Sequence, residues 1–169
     1  MSTQQQKYCL DTNVLIQAWQ KYYSPKICPS YWYLLSRLGA ENKIFIPKEV
    51  FDEITRTEDA LSGWLKTSNI PVYNLNESVT RCLSSIFATN PSHKFLVDSI
   101  KQRSLADPWV IAYAMSESAC VVTKEEKVTA ANSDKIKIPN VCENMKVRCI
   151  NDFQFIEEIN IRFTCQIGY

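Results

Sequence analysis

The feature that most constrains this chain is its rhythm. Short apolar runs, each closed by a turn or a polar residue, alternate with stretches whose apolar residues recur at helical spacing. The runs stand at residues 8–10, 43–46, 70–75, 119–122 and 147–150. Helical patterns occupy 14–22, 31–38, 50–54, 60–65, 79–87, 95–102, 107–117, 141–145 and 153–159. Strand and helix taking turns is the pattern of a parallel sheet covered by helices on both faces. The expected fold is therefore α/β: a three-layer α/β/α sandwich around a central, mostly parallel five-stranded sheet. No repeat, low-complexity tract or linker interrupts the pattern, so residues 1–169 read as one domain. Residues 1–6 are expected to be disordered, and 160–169 to form a tail that docks on the body or adds a strand.

Three scarcities then remove whole classes of function. The glycines are Gly39, Gly63 and Gly168; none precedes a lysine and their spacing cannot make G-x-G-x-x-G. A Walker A loop and a dinucleotide-binding fingerprint are both absent. The single histidine, His93, excludes a His-rich zinc site and an H-E-x-x-H hydrolase, and its Asn90-Pro91-Ser92 context reads as a solvated loop or a structural position. The seven cysteines form no C-x-x-C pair and fall mostly in apolar runs, where a free cysteine acts as a small core residue of a reduced, cytoplasmic protein. The longest apolar run, residues 109–115, is far shorter than the roughly 18 residues that span a bilayer. The first six residues lack the charged and apolar regions of a signal peptide. A net charge of +1 gives no strong global attraction to nucleic acid or membrane. Any metal here is held by oxygen or by scattered thiolates.

In open parallel sheets, ligands bind at the carboxyl ends of the strands, where the chain order switches. Four acids fall near such ends. Asp11 follows the first run, Glu53 lies in the helix after the second, Asp107 opens the helix that feeds the fourth, and Glu125 lies two residues past Thr123. Taken singly, each has a plainer reading: Asp11 and Asp107 as helix N-caps (Asp107 before Pro108), Glu53 and Glu125 as solvated surface. Taken together, four acids at one edge repel one another unless a hard divalent cation joins them.

The local motifs carry a resemblance. Asp11-Thr12-Asn13-Val14-Leu15-Ile16, after an apolar strand, resembles the opening of PIN-domain ribonucleases, with Asp11 as the first metal-binding acid and Asn13 as the polar residue that steadies the site. The stretch from Ile46-Pro47 to Glu53-Ile54 is similar to the second motif, where the acid six positions after the proline selects Glu53 over Glu49. Ala106-Asp107-Pro108-Trp109 resembles the third, and Val121-Val122-Thr123-Lys124-Glu125 the fourth, with Thr123 closing the strand. PIN domains most often carry Asp at that last position; here it is Glu125. Asp107-Pro108-Trp109 and the Lys-Ile-Pro-Asn-Val-Cys stretch at 137–142 point to a separate PIN-like subfamily, related to toxins of the VapBC kind.

The resemblance implies a metal-dependent endoribonuclease that uses Mg2+ or Mn2+. Asp11 and Asp107 would bind the principal ion, with Glu53 and Glu125 completing or hydrating its shell. It further implies single-stranded or looped RNA as substrate, an antitoxin protein as partner, and a homodimer. Lys21, Lys26, Arg56, Lys101, Arg103 and Lys124 are candidate phosphate contacts, and Tyr22, Tyr23, Tyr31, Trp32 and Tyr33 candidate stacking surfaces or core. A catalytically weak PIN-like scaffold that binds RNA or a partner protein is the competing expectation. A haloacid-dehalogenase-like phosphatase would need a second acid where Asn13 stands, and a receiver domain would need an Asp within residues 72–76.

Overall fold

Five strands form one sheet in the order β3-β2-β1-β4-β5, and every pairing in it is parallel. The computed structural model describes residues 6–97, 105–130 and 135–167. The strands are β1 (Tyr8–Leu10), β2 (Ile44–Pro47), β3 (Val72–Tyr73), β4 (Cys120–Val122) and β5 (Cys149–Ile150). The three central strands are buried throughout and apolar except for the tip of Tyr8, as a sheet covered on both faces requires. The third strand is shorter than its 70–75 pattern, and Pro47 closes the second as its last paired residue, opposite Tyr73, instead of stopping it.

Side chains alternate across β1. Cys9 Sγ points to the carbonyl of Val110, 3.6 Å away on α6 (Asp107–Glu117). The Tyr8 ring packs edge-on against Phe155 of α8 (Asp152–Glu158), with centroids 4.9 Å apart. Helix α6 lies across β1, β2 and β4 and is flanked by α5 (Glu77–Thr89) and α7 (Ile138–Met145). Its residues are buried nearly all round, which suits a helix sealed inside a layer. It ends at Ser118, whose left-handed backbone (φ 51°) lets its own amide donate to Met115 O and the Ala119 amide to Ala114 O.

The opposite layer is aromatic. It holds α1 (Thr12–Gln17), which runs straight into a π-helical turn at Ala18–Tyr22, then α2 (Pro29–Ala40) and α4 (Ala60–Thr67). Trp32 meets Trp19 and Trp64 edge-on at 4.6 and 4.7 Å, pinning these elements together. Gly39 is required in α2, because a Cβ there would lie 2.6 Å from both Asn69 O and Ile70 Cα. Helix α3 (Lys48–Thr55) follows β2 directly and packs on α1.

Four expectations are adjusted. Residues 91–96, which begin before the helix expected at 95–102, form a 3-10 helix, and positions 98–102 lie outside the described residues. Helix α7 starts at Ile138 and not near 141, because Pro139 suits the first turn. His93 is a buried structural residue: Nδ1 lies 2.6 Å from Ile86 O, and Nε2 2.9 Å from Asn144 Nδ2. The tail forms no strand among residues 160–167; Phe163 stacks on Tyr23 with centroids 5.3 Å apart. Of the cysteines, Cys9, Cys120 and Cys142 are buried, Cys28, Cys82 and Cys149 half-buried, and Cys165 exposed. No described helix is long and apolar enough to cross a membrane.

Candidate functional site

The strand order switches direction between β1 and β4: the chain builds outward from β1 through β2 to β3, then crosses back to β4. The carboxyl ends of those two neighbours mark the crevice where such sheets place ligands. Asp11 follows β1 there, and its amide prolongs the pairing by donating to Val122 O at 3.0 Å. Its carboxylate is not a helix cap. Oδ2 accepts instead from Thr123 Oγ1 at 2.8 Å, across the switch point and 112 positions along the chain. The same Thr123 oxygen accepts the Glu125 amide at 3.1 Å, which shapes the turn after β4. Asn13 Oδ1 accepts the Lys124 amide at 2.8 Å, so the two strand ends are stitched twice.

Asp11 is 1% exposed. Burial, together with the negative charges of Glu125 and Glu53, pushes its pKa up to about 7, although the Thr123 hydroxyl and the Thr12 amide pull the other way. Glu53 comes from α3 and accepts from Thr12 Oγ1 at 2.9 Å. Asp107 is the first residue of α6, 8% exposed; Ala106 and not Asp107 holds the N-cap position. Since α6 leads into the start of β4, its first residue stands at the carboxyl edge of the sheet. Glu125 turns toward α7: Oε1 accepts from Lys137 Nζ and Oε2 from the Ile138 amide, each at 2.9 Å.

Three of the four acids thus share one electrostatic neighbourhood, and topology brings Asp107 to the same edge. As the side chains are posed, no group of three or more His, Cys, Asp or Glu residues converges on a metal-sized position among the described residues. Asp11, Glu53 and Glu125 each keep a protein donor instead. Their chemistry still fits a hard cation: all are oxygen donors, and the most buried of them is destabilised by the others' charge.

Beside Thr123 and Glu125 opens a cleft of about 540 Å³, with Tyr22 and Phe153 among its walls. Lys124, a candidate phosphate contact by sequence, is committed elsewhere. Its Nζ lies 3.0 Å from both oxygens of Asp152, and 4.1 and 4.5 Å from the ring centres of Tyr22 and Phe153. Lys101 and Arg103 lie outside the described residues. Arg56 borders a smaller groove with Glu53 and Trp109. Of the candidate aromatic surfaces, Tyr31 and Trp32 are core and Tyr23 is stacked on Tyr31, while Tyr22 and Tyr33 are exposed.

Sequence reasoning passed over several residues. Lys137 and Asp152 act through contacts that only the fold creates, although Pro139 in the first turn of α7 was a legible sign of a helix start in need of an acceptor. Glu49, rejected in favour of Glu53, buries Oε2 beside the Tyr113 hydroxyl, neither atom having a well-formed hydrogen bond, and burial raises its pKa.

A family model described as "Domain of unknown function (DUF4411)" matches residues 8–163. No curated protein matches. Among solved structures, the chain is similar to the crystal structure of VapBC2 from Rickettsia felis bound to a DNA fragment from their promoter. The TM-score is 0.55 at 18% identity, covering 85% of this chain and 97% of that one. Identity this low speaks for the fold alone, and the fold it supports is PIN-like, with which the sheet order and layers agree. With nearly all of the described fold inside the matched span, the chain belongs to the DUF4411 family.

Proposed function

We propose that this PIN-like chain is a metal-dependent endoribonuclease that hydrolyses phosphodiester bonds in unpaired RNA. The observation that carries the reading is Asp11: a carboxylate 1% exposed at the switch point, with Glu53 and Glu125 adding to its charge. The Thr123 hydroxyl and the Thr12 amide offset only part of that burden, and a bound cation would offset the rest. Asp11 and Asp107 would hold Mg2+ or Mn2+, and Glu53 would complete the set. A bound divalent ion supplies positive charge opposite the phosphate and makes an attacking water more acidic.

The rest of the machinery is the chain's own. Thr123 fixes the direction of the Asp11 carboxylate, and Asn13 fixes the Lys124 amide beside it. Tyr22 and Phe153, 46% and 49% exposed, offer ring faces on which unpaired bases stack at the cleft. The buried Lys124–Asp152 pair beneath them keeps both rings in place. A toxin's role with an antitoxin protein as partner, a homodimeric state and a cytoplasmic setting belong to the same proposal, for which the shared fold with VapBC2 speaks.

A second reading, a catalytically weak scaffold that binds RNA or a partner protein, is favoured by one observation: Glu125 is engaged with Lys137 and α7. Cleavage of a mixed RNA pool separates the two. The nuclease cuts with Mg2+ or Mn2+, and Asp107→Ala lowers the rate about a hundredfold or more, the loss of several kcal/mol of charge stabilisation. A wild type inactive with both ions, or a variant that cuts equally well, rejects the nuclease and leaves the scaffold.

A further inference from the structure

The fourth acid of the centre, Glu125, has a full cation as partner. Lys137 Nζ stands 2.9 Å from Glu125 Oε1, and the other oxygen accepts the amide of Ile138, the first residue of α7. Helix α7 has no side-chain cap from Lys137, its neighbouring residue, so Glu125 supplies the missing acceptor from 13 positions upstream of Ile138. A carboxylate at a helix N-terminus also meets the positive end of the helix dipole. Both oxygens of Glu125 therefore have donors, and turning either toward an ion would strip α7 of its cap or leave the ammonium unpaired.

The pair is asymmetric. The Glu125 side chain is 14% exposed and the Lys137 side chain 43%, so the acid end is held while the cation end opens outward. Glu125 lines the same cleft as Thr123, one bond from Asp11. A permanent positive charge is thus bonded to Glu125 at the cleft.

We infer that Lys137 is a resident cation of the centre: it occupies the electrostatic role of a second divalent ion beside Glu125, so the site binds one divalent ion, and Glu125 positions Lys137 and α7 instead of ligating. The inference rests on the metal-dependent reading above and specifies its stoichiometry.

Calorimetric titration of Mn2+ into the full chain, with no RNA present, tests it. Wild type should take up one ion per chain. Lys137→Met should admit a second ion or tighten the first about tenfold, since a repelling charge is gone. Lys137→Arg should behave as wild type. Glu125→Gln, whose amide oxygen still caps α7, should keep one ion with affinity within about fivefold. Thermal melting of each variant guards against a folding defect, and the Glu125→Gln result stands even where Lys137→Met fails to fold. Two ions in wild type, an unchanged Lys137→Met, or a loss beyond about thirtyfold in Glu125→Gln overturns the inference while leaving the nuclease reading intact. A wild type that binds no Mn2+ overturns both.

Discussion

Glu117 and Glu158 at the amino edge of this sheet and Asp11 at its carboxyl edge are held in opposite ways. At the amino edge two acids have cations: Lys7 lies 3.1 Å from Glu117, and Arg148 clasps Glu158, which also accepts from the Tyr8 hydroxyl at 2.9 Å. The Arg148 guanidinium holds the Glu158 carboxyl below its ordinary range. At the carboxyl edge, Asp11 has a hydroxyl and two neighbouring acids, and its pKa climbs to about 7. Among the described residues, cations pair with those two acids and none pairs with Asp11. Stability accounts for the first edge; the proposed nuclease reading accounts for the second, where a bound cation would offset the buried charge.

Breaking the comparison most severely, Asp11→Asn should lower metal-dependent RNA cleavage about a hundredfold or more. The same change should raise the melting temperature of the metal-free protein at neutral pH, because an amide carries no buried charge. Loss of stability with retained cleavage would refute the assigned difference between the edges.

Titration sharpens it next. A carboxyl whose folded pKa is raised from 3.8 to about 7 contributes stability that is full below about 4 and is lost as pH rises toward 7. Glu158, with its pKa lowered, contributes stability that is present above its ordinary 4.5 and lost as pH falls through its folded value. Metal-free melting curves from pH 4 to 8 should therefore decline by a few kcal/mol across the Asp11 window. Asp11→Asn should flatten that decline, and Mn2+ should reverse it in wild type. A wild-type curve as flat as the variant's would remove the claim.

Thr123→Val comes third. It deletes the hydroxyl that favours the ionised Asp11, so the decline should move to higher pH, with a stability cost of about 1 to 3 kcal/mol where Asp11 is charged. The smallest effect belongs to the amino edge. Glu117→Gln should change stability by less than about 1 kcal/mol, since the pair is partly exposed, and should leave cleavage untouched.

Much of the fold was legible because it is written locally. Leu10 to Asp11, Val122 to Thr123 and the Asp107-Pro108 start of α6 announce their boundaries in adjacent residues. The Asn151–Gln154 capping box that opens α8 is equally local. What escaped depends on distance. The π-helical turn at Ala18–Tyr22 has the same apolar spacing as the α-helix expected there, and the packing of Trp19 against Trp32 and Trp64 accompanies its wider winding. Lys124 looked like a free surface cation; Asp152 and two rings claim it. Glu125 matched a motif by position, yet what it does is decided by Lys137 and Ile138, beyond a polar loop with no periodicity to read.

The bond between Asp11 and Thr123 also sets a timetable. Its ends are 112 positions apart, and β4 pairs with β1 only after the crossover through α6 is made. A chain emerging residue by residue would have its first acid early, and with it most of the aromatic layer. The partner that aims that acid arrives late. Any hydrolytic activity of this edge therefore requires that Thr123, made 112 positions after Asp11, be in place and β4 paired before the acid is aimed.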